Sequence, residues 1–319
     1  MKKFFALILA LVMSLSLVAC GGGDGSSAKL RFVTGGESGT YYAFGSVIAQ
    51  HATNNAGINV VGLVGNGSQA NIEELQAGNA DLAFCQSDVM AYAYEGTNIF
   101  DAKVDCFSTV AALYTEQVQI VTVDPSIKTV ADLKGKNVSI GAAGSGVFFN
   151  AVDILGAYGL DVEKDINPTY QSFGDSADAL KDGKIDAAFI VAGAPTTAIT
   201  DLATTKAVSL VSLDDEHIDK LLASSPYYTK CTIPADVYGL DADTTTVGVG
   251  AVILARDDVS EDAIYALCAD IFDNAADLVS SHAKYGELSL EYAASITSVP
   301  YHAGAVKYFA EHNMTVAGK

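Results

Sequence analysis

The chain carries the same strand-to-helix junction twice, and that repetition constrains its fold more than any other feature. Leu30-Arg31-Phe32-Val33-Thr34 reads as a short strand running into Gly35-Gly36-Glu37-Ser38-Gly39-Thr40-Tyr41-Tyr42. Asn137-Val138-Ser139-Ile140 runs likewise into Gly141-Ala142-Ala143-Gly144-Ser145-Gly146-Val147-Phe148-Phe149. In both, a glycine-rich turn ends in Ser-Gly and hands over to a helix opened by two aromatics.

A second pair recurs at nearly the same separation. Leu75-Gln76-Ala77-Gly78-Asn79-Ala80-Asp81-Leu82-Ala83-Phe84 is echoed by Leu180-Lys181-Asp182-Gly183-Lys184-Ile185-Asp186-Ala187-Ala188-Phe189. Each is a helix end stopped by glycine, then a charged turn and a buried apolar strand. The period is far too long for a solenoid and fits two similar α/β lobes. Between these motifs Asn59-Val60-Val61-Gly62-Leu63-Val64 reads as a strand and Asn71-Ile72-Glu73-Glu74-Leu75 begins a helix. Parallel sheets with helical crossovers follow.

Two apolar strands interrupt the repetition. Val118-Gln119-Ile120-Val121-Thr122-Val123 leads into the second lobe, and Thr246 to Leu254 leads back. Helical stretches follow around residues 261–279 and 302–312. A chain crossing twice between lobes makes a two-strand hinge with a cleft between the halves, a common place for a ligand. The expected boundaries are 29–117 for the first part of lobe 1, 118–246 for lobe 2, and 247–319 for the return strand and the rest of lobe 1.

The N-terminal residues set the expected compartment. Lys2 and Lys3 precede an apolar run that ends at Leu17-Val18-Ala19-Cys20. The run is short for a span of about 20 apolar residues and has the form of a secretory signal. A cysteine directly after Leu-Val-Ala matches a lipobox. Residues 1–20 are therefore expected to be a lipoprotein signal, with lipid attached at Cys20 and the protein held extracytoplasmically, at the cell surface or in the periplasm. Gly21-Gly22-Gly23-Asp24-Gly25-Ser26-Ser27 heads the expected tether, 21–28.

The formal charge of −20 argues against a nucleic-acid partner. Arginine occurs only at Arg31 and Arg256, so capture of an anion by a guanidinium has few candidates. Past Cys20, Cys85, Cys106, Cys231 and Cys268 form neither a CxxC pair nor a zinc spacing. Disulfides and buried free thiols both remain open. The histidines (His51, His217, His282, His302, His312) lie in no catalytic or metal motif, and the first glycine turn lacks the lysine of a phosphate-binding loop. No catalytic set, metal site or cofactor is expected, and the chain is not expected to be an enzyme.

Ligand contacts are expected where glycine turns lead from strand ends into helices, because first-turn N–H groups and the positive helix end favour an anion. The candidates are Ser38, Gly39, Thr40 and Tyr41 from one lobe and Ser145, Gly146 and Val147 from the other. Gly67, Ser68 and Asn71 follow a strand in the same way, as do Gln86, Ser87 and Asp88. Gly193, Pro195 and Thr196 occupy the matching place in lobe 2. Helix capping is the alternative role for the polar members of these sets, above all Asp88 and Thr196.

An ordered series of motifs resembles the TAXI-type solute receptors (TRAP-associated extracytoplasmic immunogenic proteins) of tripartite ATP-independent periplasmic transport systems. The series is Thr34-Gly35-Gly36…Gly39-Thr40-Tyr41-Tyr42, Gly67-Ser68…Asn71, Gln86-Ser87-Asp88, Ala112-Leu113-Tyr114, Gly144-Ser145-Gly146, Ala192-Gly193…Pro195-Thr196 and Leu213-Asp214-Asp215-Glu216. Pro226-Tyr227-Tyr228 and Ile233-Pro234 continue it. The resemblance covers nearly the whole body after the leader. It implies an α/β, two-lobed type II periplasmic-binding-protein fold with two crossover strands as hinge. It also implies a membrane permease partner of the TRAP type and a small carboxylate ligand such as glutamate, a related amino acid or a dicarboxylate. A ligand-sensing lipoprotein that signals to a membrane kinase would use the same closing cleft.

The sequence departs from that pattern at several positions. Glu37-Ser38 stands where Thr-Gly is common, Asn66 where glycine is common, and Val147 where threonine is common. Thr115-Glu116-Gln117 replaces a segment that usually begins with proline. An inward Glu116 would favour a zwitterionic solute carrying an ammonium group over a purely anionic one.

Overall fold

The repeated motifs build two lobes with one strand order. A computed structural model describes residues 29–319; the signal segment, the lipobox Cys20 and the tether lie outside the described residues. In lobe 1, β1 (Lys29–Val33) pairs in parallel with β2 (Asn59–Leu63) on one side and β3 (Leu82–Gln86) on the other. In lobe 2, β5 (Asn137–Ser139) takes the same central place between β6 (Asn167–Thr169) and β7 (Ala187–Ala192). Each triplet is completed by a long antiparallel strand: β10 (Thr244–Arg256) beside β3, and β4 (Phe107–Thr122) beside β7.

β4 and β10 also pair with each other and run through both lobes, from Phe107 opposite Arg256 to Gln117 opposite Gly248. They are the two crossover strands of the hinge. Two short strands complete the sheet, β8 (Ser209–Leu210) against β4 and β9 (Thr229–Ile233) against β10. Both crossover strands are longer than the apolar runs that marked them in the sequence.

The repeated Gly-x-x-Asp turn has a mechanical purpose in both lobes. Gly78 and Gly183 adopt φ of +73° and +68°, the left-handed region in which a helix stops at glycine without steric cost. Three residues on, Asp81 accepts the backbone N–H of Arg31 at 2.8 Å, and Asp186 accepts that of Asn137 at 2.8 Å. Each aspartate thus ties the central strand to its neighbour. Arg31 also closes a two-point ion pair on Asp81, which holds that carboxyl below its ordinary value.

Helices cover both faces of each lobe. Lobe 1 carries α1 (Thr40–Asn55), α2 (Ser68–Gln76) and α3 (Ser87–Glu95); lobe 2 carries α4 (Val147–Ala157), α5 (Phe173–Lys181), α6 (Thr197–Ala203) and α7 (Asp215–Ser224). The C-terminal α8 (Glu261–Asp273), α9 (Ala275–Leu278), α10 (Leu290–Ala293) and α11 (Ala303–Glu311) return to lobe 1. There Leu267, Ile271, Tyr308 and Phe309 pack with Phe32, Phe44, Ile48 and Phe84 in one core. Truncating a ring such as Phe309 there would cost about 3–5 kcal/mol. The opposite face of lobe 1 and the two faces of lobe 2 hold separate cores. All four cysteines past the tether are free thiols, with Cys85 and Cys268 buried. No described helix is long and apolar enough to cross a membrane.

Candidate functional site

Three helices begin at one place, the carboxyl ends of the strands between the lobes. α1, α2 and α4 start after Gly39, Gly67 and Gly146, and no side chain caps any of them. Other helices are capped by the side chains of Ser172, Asp214, Ser260 and Ser289, each accepting the N–H three residues on, whereas α3 after Gln86 and α6 after Thr196 are uncapped like the three at the cleft. The uncapped first turns of α1, α2 and α4 direct their N–H groups and positive helix ends into a shared cleft of about 490 Å³.

Two of the glycines are demanded by the closeness of the lobes. A Cβ on Gly67, whose φ is +107°, would lie 2.9 Å from Cα of Ser145 in the other lobe. One on Gly146 would lie 1.5 Å from Oε1 of Gln86. The halves meet around the cleft through Ala70 N–H to Gly144 O (3.0 Å), Ala198 N–H to Ser38 O (3.2 Å) and the Thr40 hydroxyl to Gly193 O (2.8 Å). This is a closed arrangement.

The hinge supplies the buried carboxyl of the cleft. Glu116 lies on β4 opposite Val249, where the chain passes between lobes, and is 2% exposed. Burial pushes its pKa up to about 8. Gln86, also 2% exposed, donates through Nε2 to Asn150 Oδ1 at 3.0 Å and to Glu116 Oε2 at 3.4 Å. Asn150, from lobe 2, donates in turn to Asp88 Oδ2 (3.0 Å) and to the Tyr228 hydroxyl (2.9 Å), which donates to Asp153. Burial raises Asp88 to about 7, against hydrogen bonds from Val89 N–H and Asn150.

Four cleft residues keep a buried polar atom with no partner: the Tyr41 hydroxyl, Gln86 Oε1, Glu116 Oε1 and Ser145 Oγ. The Tyr41 hydroxyl stands beside Glu116 but outside hydrogen-bond geometry. An unpaired buried polar group costs roughly 1–3 kcal/mol, so four in one cleft mark a surface shaped for a polar guest.

A family model described as the NMT1-like family matches residues 32–312. The chain belongs to the NMT1-like family. Solved structures of similar fold include the alkanesulfonate-binding protein SsuA from Xanthomonas axonopodis pv. citri bound to MOPS, at 16% identity over 90% of this chain and 91% of that one, with a TM-score of 0.50. The GluR0 ligand-binding core in complex with L-glutamate matches at 10% identity over 83% and 99%, TM-score 0.50. A putative L-cystine ABC transporter protein from Listeria monocytogenes matches at 15% identity over 85% and 99%, TM-score 0.50. At these identities the likeness shows the fold, which is that of the two-lobed periplasmic solute-binding proteins.

In this NMT1-like protein Ser38, Gly39, Thr40, Tyr41, Gly67, Ser68, Gln86, Glu116, Ser145, Gly146 and Val147 all line the cleft. The other sequence candidates are placed behind it, where they hold its walls. Asn71 donates to Thr34 O (2.6 Å) and Phe84 O (2.9 Å), stitching β1 to β3. The Ser87 hydroxyl accepts from Gly250 N–H at 2.9 Å, and Asp88 faces Asn150. Gly193 offers its carbonyl to Thr40, and Pro195 follows a cis bond after Ala194. Thr196 accepts from Gln119 and donates its N–H to Tyr238. Their polar groups meet buried backbone and side-chain partners distant in the chain, which a sequence does not display.

The start of α5 is absent from the sequence candidates: Ser172, its N-cap, and Phe173, Gly174, Asp175 and Asp178 in its first turns all line the cleft. The repeat held the signal, because Ser172-Phe173 is the lobe 2 counterpart of Gly67-Ser68 at the offset of the Leu75 and Leu180 motifs. Asn150, which joins the two lobes, carries no such mark. Among the described residues no group of three or more His, Cys, Asp or Glu side chains could hold a metal ion.

Proposed function

We propose that this protein is an extracytoplasmic solute receptor of the TAXI type that captures an α-amino acid and delivers it to a TRAP permease. In that reading Cys20 carries the lipid that tethers it to a membrane. One observation carries the choice of ligand. Gln86 Oε1 can only accept, as can Glu116 Oε1 once that carboxyl is ionised, and both are buried and unpartnered beside three uncapped helix starts. An α-ammonium supplies donors to that oxygen pair, and the α-carboxylate takes the N–H groups of the helix starts.

Each lobe brings part of this set. Gln86 comes from lobe 1, Glu116 from the hinge and Gly146 from lobe 2, so the solute is held fully only when the halves meet. Lobe-to-lobe bonds such as Ala70 to Gly144 then add to the closed form. A dicarboxylate without an amine would leave Gln86 and Glu116 unmet and would bring a second negative charge toward Glu116.

Thermal unfolding with and without solute tests the reading. An amino acid should stabilise the protein by about 2.7 kcal/mol at 100 times its dissociation constant, and its matched α-keto acid should give a much smaller shift. Equal stabilisation by the two would overturn the assignment.

A further inference from the structure

We infer that the amino acid taken by this cleft is a basic one, whose distal cation is read by Glu37, Asp175 and Asp178. This rests on the amino-acid reading above and specifies the side chain. Four carboxylates line the cleft, Glu116 at its floor with Glu37, Asp175 and Asp178 exposed, and no lysine, arginine or histidine joins them. Asp175 and Asp178 stand three apart on α5 of lobe 2, so they share one helix face. Glu37 belongs to the Gly-rich turn of lobe 1. The lobes touch between them, where a Cβ on Gly174 would lie 3.0 Å from the Ser38 hydroxyl oxygen.

The two arginines are engaged elsewhere. Arg31 pairs with Asp81 at 2.8 Å and Arg256 with Asp258 at 2.6 Å, neither of them in the cleft lining. The uncapped helix starts answer one carboxylate, and an acidic side chain would then meet three further acids with no counter-charge. The buried, unpartnered oxygens of Gln86 and Glu116, assigned above to the α-ammonium, show that the same cleft is built for a guest that donates hydrogen bonds. Space and walls fit as well. The cleft of about 490 Å³ exceeds what a small amino acid fills, and Val64, Phe173 and Val191 give apolar surface for a methylene stem.

Calorimetric titration of the full chain in detergent with L-ornithine, L-norvaline and L-glutamate separates the outcomes, because the three have similar length and differ in side-chain charge. Ornithine should bind roughly tenfold more tightly than norvaline, the combined order of several partly exposed charge pairs, and glutamate should bind weakest. In the Glu37→Gln/Asp178→Asn double variant the ornithine-to-norvaline ratio should fall severalfold. Norvaline or glutamate binding as tightly as ornithine would overturn the basic side chain and leave the amino-acid reading standing. An unchanged ratio in the double variant would remove Glu37 and Asp178 and overturn the assigned acidic readout, since the remaining Asp175 already accepts from the Ser172 hydroxyl. Binding of none of the three would overturn both.

Discussion

Replacing Glu116 with glutamine should flatten the pH dependence of stability, and the sign follows from burial. The carboxyl titrates near 4.5 ordinarily and near 8 in the folded cleft, with burial the largest cause. Between those values the folded state keeps a proton that the unfolded chain has lost. Stability from this group is therefore complete below pH 4.5 and is lost as pH rises through 8, at about 1.4 kcal/mol per pH unit. Across the window the loss is on the order of 5 kcal/mol. Glu116→Gln keeps an acceptor for Gln86 Nε2 and cannot ionise, so it lacks this slope. Asp88, also raised, titrates in both proteins, so their difference reports Glu116 together with its repulsion from Asp88. The chain has no tryptophan, so urea unfolding followed by circular dichroism at pH 5, 7 and 9 is the assay. Wild type and variant should agree near pH 5, and the variant should be the more stable by several kcal/mol at pH 9. Parallel profiles would show that Glu116 is a solvated carboxylate and would refute the reasoning.

Other consequences can be checked separately. An ammonium ligand favours ionised Glu116, so binding near pH 7 should expel close to one proton; titration enthalpies should then vary with the ionisation enthalpy of the buffer, and affinity should rise from pH 6 to 8 by up to about tenfold per unit. Gly146→Ala should block closure and abolish solute-induced stabilisation, since its Cβ would fall on Gln86, whereas Gly156→Ala, with nothing within 4 Å in α4, should stabilise the fold by about 0.5–1 kcal/mol in thermal unfolding. Asn150→Leu should cost about 1–3 kcal/mol for each partner left unpaired and weaken solute binding, with a larger radius of gyration in solution scattering.

The sequence displayed the fold through its duplication. The Leu75 and Leu180 motifs correspond to helix ends, turns and strands in the two lobes, and the mirrored sheet orders follow. The extent of the crossover strands was hidden. Phe107 to Tyr114 is buried on both faces and shows no alternation, and the polar Thr115-Glu116-Gln117 interrupts the pattern where the strand leaves one lobe for the other. At the site, glycine turns pointed to Gly67 and Gly146 because close approach excludes side chains there. Asn71 and Asp88 look the same in sequence but turn toward buried partners, a choice set by residues distant in the chain. Asp175 and Asp178 lie on a surface helix and resemble an ordinary solvated face, which is why charge alone did not single them out.

A crystal structure with the tightest-binding amino acid would test the central claim most directly. The α-ammonium should lie within hydrogen-bond reach of Glu116 Oε1 and Gln86 Oε1, with the α-carboxylate against the first-turn N–H groups after Gly39, Gly67 or Gly146. A solute in the opposite orientation, or one bound away from the interlobe cleft, would contradict it.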